Sequence, residues 1–235
     1  MSQEFDEYSE NYRQVFDDGM KATGFDSAHF VTAKLKMLRS LNPLLCEASI
    51  NFLDYGCGTG VLCEYLHGFF PKANYFGVDA SGEMVKQARS KYGLAGTFDE
   101  TGSTEWKTRA YDIIFAAGVF HHVPHNEHKP ILLELKKLTK ACGKIIIWEH
   151  NPINPFTRKI VRDCAFDTNA VLVPSGKMRA LLAEVQLSPV EIIYTTFFPK
   201  FLESLIPLER FLTWLPLGGQ YVAVGENRLT PPSGP

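Results

Sequence analysis

The chain has 235 residues, the size of one compact domain with elaborations rather than two full ones. A composition of 45% hydrophobic and 21% charged residues excludes a disordered chain except at the ends. With 24 Lys+Arg against 26 Asp+Glu the net charge is -2, which supplies no basic field for phosphate and argues against nucleic acid as a partner.

Residues 1 to 26 are polar with interleaved aromatics, and a helical period begins after Ser27 with Phe30, Leu35, Leu38 and Leu41, so residues 1–45 are expected to form an N-terminal helical cap. From there short β-branched or aromatic runs alternate with amphipathic stretches: INFLDYG, VLCEYLHGFF, NYFGVDA, SGEMVKQARSKY, YDIIFAAG, NEHKPILLELKKLTKACG and KIIIWEH. Strands separated by helices imply right-handed crossovers and a mostly parallel sheet covered on both faces, a doubly wound α/β sandwich. The third strand is placed near Gly96–Glu100. Beyond Trp148 a connector rich in Pro and Asn leads to a helix near Gly176–Val185 and the strand VEIIYTT. An apolar insertion over 197–219 precedes the last strand, QYVAVGE, and residues 229–235 are expected to be a disordered tail to a single domain over 1–228.

No apolar run reaches the roughly 18–20 residues that span a bilayer, and the acidic start is unlike a signal peptide, which together predict a cytoplasmic protein without integral membrane contact. Five cysteines at 46, 57, 63, 142 and 164 form no CxxC pair, so neither disulfides nor a structural metal are indicated.

The strongest local signal is Leu53-Asp54-Tyr55-Gly56-Cys57-Gly58-Thr59-Gly60, which ends a strand and opens a helix. Glycines let the backbone turn tightly and a ligand approach, while the helix start points free N–H groups outward. The dinucleotide fingerprint needs a further glycine at 61, where Val61 stands, which disfavours a nicotinamide oxidoreductase. Nineteen residues past Gly60, Asp79 ends the second strand, where a carboxylate can accept both hydroxyls of a ribose.

With LDYGCGTG, YFGVDAS, YDIIFAAGVFHHVP and GKIIIWEH in this order over residues 50 to 150, the sequence resembles the class I S-adenosylmethionine-dependent methyltransferases. The resemblance implies a Rossmann-like sheet of seven strands, the last antiparallel, and S-adenosyl-L-methionine as cofactor. It implies that Asp54 and the backbone of Gly56, Cys57, Gly58 and Gly60 surround the methionine part, that Asp79 binds the ribose, and that Ala80 and Met84 flank the adenine. Asp99 or Glu100 is the candidate for the adenine amino group, the carbonyl end of the fourth strand at Ala117 for the methionine amino group, and Tyr12 for stacking near the adenosyl group. A decayed, non-catalytic binding module of the same fold is the alternative, against which the intact Asp54, glycines and Asp79 argue.

The sulfonium donor is already activated, so transfer depends mainly on holding the acceptor in line and excluding water. A hydroxyl acceptor gains from a general base, and His121 and His150, at the carboxyl edge of the fourth and fifth strands, are the candidate catalytic residues. The string HHVPHNEH invites a metal reading, but Pro124 interrupts its geometry and hard-cation ligands are missing, so no metal is expected. The 197–219 insertion is expected to add core, with an apolar lid for a small-molecule or lipid-linked acceptor or a peripheral membrane patch as the other readings.

Overall fold

A computed structural model gives the structure of residues 23–164 and 167–228. Helix α1, Ser27–Leu41, starts where Asp26 accepts the His29 N–H at 2.9 Å and sets Leu35 and Leu38 into the core. There follow β1 (Ile50–Tyr55), α2 (Val61–Leu66), β2 (Ala73–Asp79), α3 (Gly82–Tyr92), β3 (Thr97–Glu100), β4 (Tyr111–Ala117), α4 (His128–Leu138) and β5 (Thr139–His150). Then come α5 (Pro155–Asp163), α6 (Ser175–Glu184), β6 (Val190–Thr195), a 3-10 helix over Lys200–Phe211 and β7 (Gln220–Glu226). The seven strands lie in the order β3-β2-β1-β4-β5-β7-β6. Every recorded pairing is parallel except those of β7, which runs antiparallel to β5 and β6, as the resemblance implies.

The central strands are nearly continuous apolar runs because helices cover both faces. One face packs Phe52 within 6.4 Å, between ring centroids, of Phe70, Tyr75 and Phe115. Phe52 is fully buried, and cutting it to alanine costs about 3–5 kcal/mol. The other face sets Tyr111, Ile114 and Phe120 against Leu132, Leu135, Met178 and Leu182 from α4 and α6. From β1 the sheet grows outward through β2 and β3 on one side and through β4 and β5 on the other. A crevice therefore opens at the carboxyl ends of β1 and β4, where ligands of doubly wound sheets bind.

Three local expectations change. The helix read through Gly143 stops at Leu138, and β5 begins at Thr139. Long-range pairing decides this: Thr139 aligns with Tyr111 across a bulge, Cys142 takes φ 62°, and the Cys142 N–H donates to the Asn227 carbonyl at 2.9 Å. Helix α2 covers only the first six residues of VLCEYLHGFF. The insertion does not add core, since no residue of Lys200–Phe211 is buried, and Phe201, Phe211 and Trp214 stand 83%, 61% and 72% exposed. Pro207 and a kink at Leu202 keep the segment from forming an amphipathic α-helix that could dock one face on the sheet. Among the described residues, no helix is long and apolar enough to cross a membrane.

Candidate active site

The turn after β1 is built from positive φ values. Gly56 at 80° and Gly58 at 53° lie where side chains are disfavoured, and the Gly56 and Cys57 N–H groups donate to the Val78 carbonyl at 2.7 and 3.0 Å. A Cβ on Gly56 would collide with Val119, whereas one on Gly58 would project into open space. That open space is where a ligand can lie on the backbone. Asp79, at the tip of β2, closes the loop from the side: Oδ2 accepts the Gly58 N–H at 2.8 Å and Oδ1 the Ser81 N–H at 2.9 Å. Ser81 in turn caps α3 through Met84.

Two recesses meet here. The larger, about 310 Å³, is walled by Gly58, Asp79, Ala80, Met84, Thr101, Gly118 and Val119 among others. The smaller, about 100 Å³, lies between α1 and the tip of β1 and is lined by Phe30, Lys34, Asp54, Cys57 and neighbours. Gly56 and Ala117 border both. Asp54 is buried and accepts the Tyr75 hydroxyl at 2.6 Å. Burial pushes its carboxyl up to about 7, against the opposing pull of Tyr75 and Lys34. Lys34 is pushed down by burial and held up by the fields of Asp54 and Glu149. The smaller recess therefore brings one lysine and one titratable carboxyl to a shared space.

Beyond the tips of β4 and β5 lies a second polar cluster. Glu149, 1% exposed, accepts the Val119 and Phe120 N–H groups through Oε1 at 3.0 and 2.7 Å, and its Oε2 lies 2.6 Å from Nδ1 of His121. On the far side of that ring, Nε2 is 3.3 Å from Oδ1 of Asp167, and Nε2 of His122 is 3.3 Å from the same oxygen. Burial would lower His121, yet Glu149 and Asp167 outweigh it and raise the ring to about 10. His150 stacks edge-on to His121 at 5.2 Å between centroids, and burial together with the His121 charge lowers it to about 4. Asp167 is penalised by burial but held well below the usual carboxylate range by its bonds with His121 and His122.

Residues 52–143 match the methyltransferase domain family. The chain is 30% identical over 132 residues to trans-aconitate 2-methyltransferase from Escherichia coli, covering 54% of this chain and 51% of the relative. It is 33% identical to malonyl-[acyl-carrier protein] O-methyltransferase from Anoxybacillus flavithermus, covering 54% and 48%. The chain thus spans about half the length of these relatives. Among solved structures, a SAM-dependent methyltransferase, possible histamine N-methyltransferase, from Thermotoga maritima superposes with a TM-score of 0.66 over 97% of this chain and 99% of that one at 15% identity. A SAM-dependent methyltransferase from Archaeoglobus fulgidus gives 0.63 over 83% and 94% at 16% identity. At such identities the likeness is one of fold. Residues 52–143 thus match a methyltransferase domain, inside a fold shared with S-adenosylmethionine-dependent methyltransferases.

The expected residues take different places in this fold. Asp54, Gly56, Cys57, Gly58, Asp79, Ala80, Met84 and Ala117 line the paired recesses. Gly60 begins α2 behind the loop, where a Cβ would meet Phe98 at 2.9 Å, and does not line either recess. Asp99 and Glu100 are not in the wall: Asp99 binds Arg89 at 3.0 Å, Glu100 sits against Gly82, and Thr101 takes the wall position. Tyr12 lies outside the described residues. His121 and His150 are brought together, but His121 is 3% exposed with both nitrogens facing carboxylates. The HHVPHNEH string splits, since His128 turns its Nε2 to the Phe120 and Val123 carbonyls at 2.9 Å. Sequence reasoning missed Lys34 and Asp167. Lys34 reads locally as one polar position of a helix, and Asp167 as part of a connector, DCAFDTN, with no periodic signal.

Proposed function

We propose that the chain transfers the methyl group of S-adenosylmethionine to an oxygen atom of a small or carrier-linked acceptor. The observation that carries this reading is the Asp79 carboxylate, fixed by the Gly58 and Ser81 N–H groups at the rim of one recess that adjoins a second holding Lys34 and Asp54. The residues fit the donor: the open face of Gly58 is a cradle that a Cβ would fill, Asp79 sets a carboxylate in the wall for two ribose hydroxyls, and Ala80 and Met84 offer apolar contact for a base. Lys34 and Asp54 match the carboxylate and ammonium of an amino-acid end. The sulfonium supplies the activated methyl group. The chain's own residues bind, orient and exclude water, which is what an in-line displacement requires.

Oxygen is favoured as the acceptor atom by the name of the malonyl-[acyl-carrier protein] O-methyltransferase relative. The acceptor side is the edge beyond β4 and β5, with His150 at the tip of β5. His121, held 2.6 Å from Glu149 through Nδ1 and buried beside Asp167, orders the turn after β4 and is not assigned as the base. The test is calorimetric titration of the purified chain with S-adenosylmethionine, followed by measuring S-adenosylhomocysteine formed when a small-molecule extract is added. Binding and turnover are expected; no binding overturns the donor assignment, and binding without turnover over fractionated extracts reduces the protein to a binding module.

A further inference from the structure

We propose that His121, His150 and Asp167 form a site for one borderline divalent cation of the zinc type, beside the donor recess. One ligand atom from each of the three lies within 4.8 Å of the other two, although the residues come from the turn after β4, the tip of β5 and the connector after α5. Two imidazoles and one carboxylate are a donor set suited to zinc or iron(II) rather than to magnesium or calcium.

The unequal contacts around His121 point the same way. Nδ1 makes a short contact with Glu149, 2.6 Å, whereas Nε2 stands 3.3 Å from Asp167, beyond the roughly 2.7–2.9 Å of a charge-assisted N–H···O bond. At metal–ligand lengths of about 2.0–2.1 Å, tetrahedral geometry sets neighbouring ligand atoms about 3.3–3.4 Å apart, so this pair already has the spacing of two ligands on one ion. A carboxylate accepting the other ring N–H fixes the tautomer that turns Nε2 toward a metal, which is the place Glu149 occupies with its remaining oxygen tied to the Val119 and Phe120 N–H groups. His150, on a half-buried strand tip, completes the set with its ligand atom within 4.8 Å of the other two.

Three protein ligands leave an open position. His122, whose Nε2 also lies 3.3 Å from the Asp167 oxygen, lines the donor recess, so the open position is next to that recess and suits an oxygen-bearing acceptor. This last clause rests on the methyltransferase reading; cation binding itself does not.

The untagged full chain, stripped with a chelator, is dialysed against zinc(II) or cobalt(II), and metal per chain is measured by elemental analysis with cobalt absorption as a second readout. About one ion per chain is expected, with retention weakened by more than the 10–100-fold typical of lost second-layer partners in His150→Ala and Asp167→Ala, and unchanged in His125→Ala. Zinc should raise the Tm of the parent and of His125→Ala but of neither ligand variant, which separates ligand loss from unfolding. Uptake far below one ion by the parent, or equal uptake by the ligand variants, overturns the assignment. Titration of the same metal-free protein with S-adenosylmethionine distinguishes the two readings: donor binding without metal uptake removes the metal site alone, and metal uptake without donor binding removes the donor reading alone.

Discussion

Replacing Asp79 with alanine tests the grip on the donor most directly. Each carboxylate oxygen accepts one backbone N–H, from Gly58 at 2.8 Å and Ser81 at 2.9 Å, which fixes the plane of the group in the wall of the recess. A hydrogen bond to a charged acceptor contributes about 1.5–3 kcal/mol net. Two ribose hydroxyls would nominally contribute twice that, but in Asp79→Ala water enters the opened rim and restores part of it. The expected loss is therefore bounded by one such bond at its weaker value and two at that value, about 1.5–3 kcal/mol, or roughly 10–150-fold in Kd. Calorimetry with S-adenosylmethionine and with its 2′-deoxy analogue reads both the loss and its origin. The parent should discriminate against the analogue, and Asp79→Ala should not. A variant that binds the donor within about twofold of the parent, with a normal Tm, would refute the reasoning, because no arrangement that places the ribose on this carboxylate tolerates its removal so lightly.

Gly58→Ala should fold, losing about 1–2 kcal/mol from its positive φ, a Tm decrease of roughly 2–8 °C by calorimetry, while its methyl group occupies the cradle and weakens donor binding more than tenfold. Gly56→Ala should lose more stability than Gly58→Ala in the same scan, since its methyl group also meets Val119. The Asp54 carboxyl, raised to about 7 by burial, makes the ligand-free protein less stable as pH rises from its unfolded value near 4 through 7, because a raised acid holds its contribution only while protonated. An ammonium group in that recess favours the ionised form, so donor affinity should rise between about pH 6 and about pH 8 with proton release seen as a buffer-dependent heat, and Asp54→Asn should flatten the profile. Glu149→Ala breaks a fully buried pair with His121 and orphans two backbone donors, which should lower stability by about 3–5 kcal/mol and the Tm by roughly 6–20 °C.

What could be read from the sequence, and what could not, follows from the range over which each signal acts. Leu53 to Gly60 announces its role within eight residues, because a buried strand, a turn needing positive φ and a helix start are all local demands, and Asp79 carries the same kind of signal at the next strand end. The mostly parallel sheet then follows from the alternation of strands and helices with right-handed crossovers, whereas the strand order is seen only in the structure. The first five residues of β5 were hidden because Thr139 to Gly143 has no strand pattern of its own and is extended only by pairing with Tyr111 and bonding to Asn227. Asp99 and Glu100 were misplaced by a smaller margin: the wall position falls to Thr101, just past the end of the short edge strand, while Arg89 holds Asp99 away from it. Asp167 lies 46 residues from His121, in a connector whose composition says only that it is irregular. Its chemistry exists solely because β4, β5 and that connector end at one place, so the cluster becomes visible when the topology is known and not before. The loop and strand-end residues proposed for the donor are thus mostly local and legible, Lys34 excepted, whereas the cluster beyond β4 and β5 is assembled at long range, and for this reason the sequence points to a donor class more readily than to an acceptor.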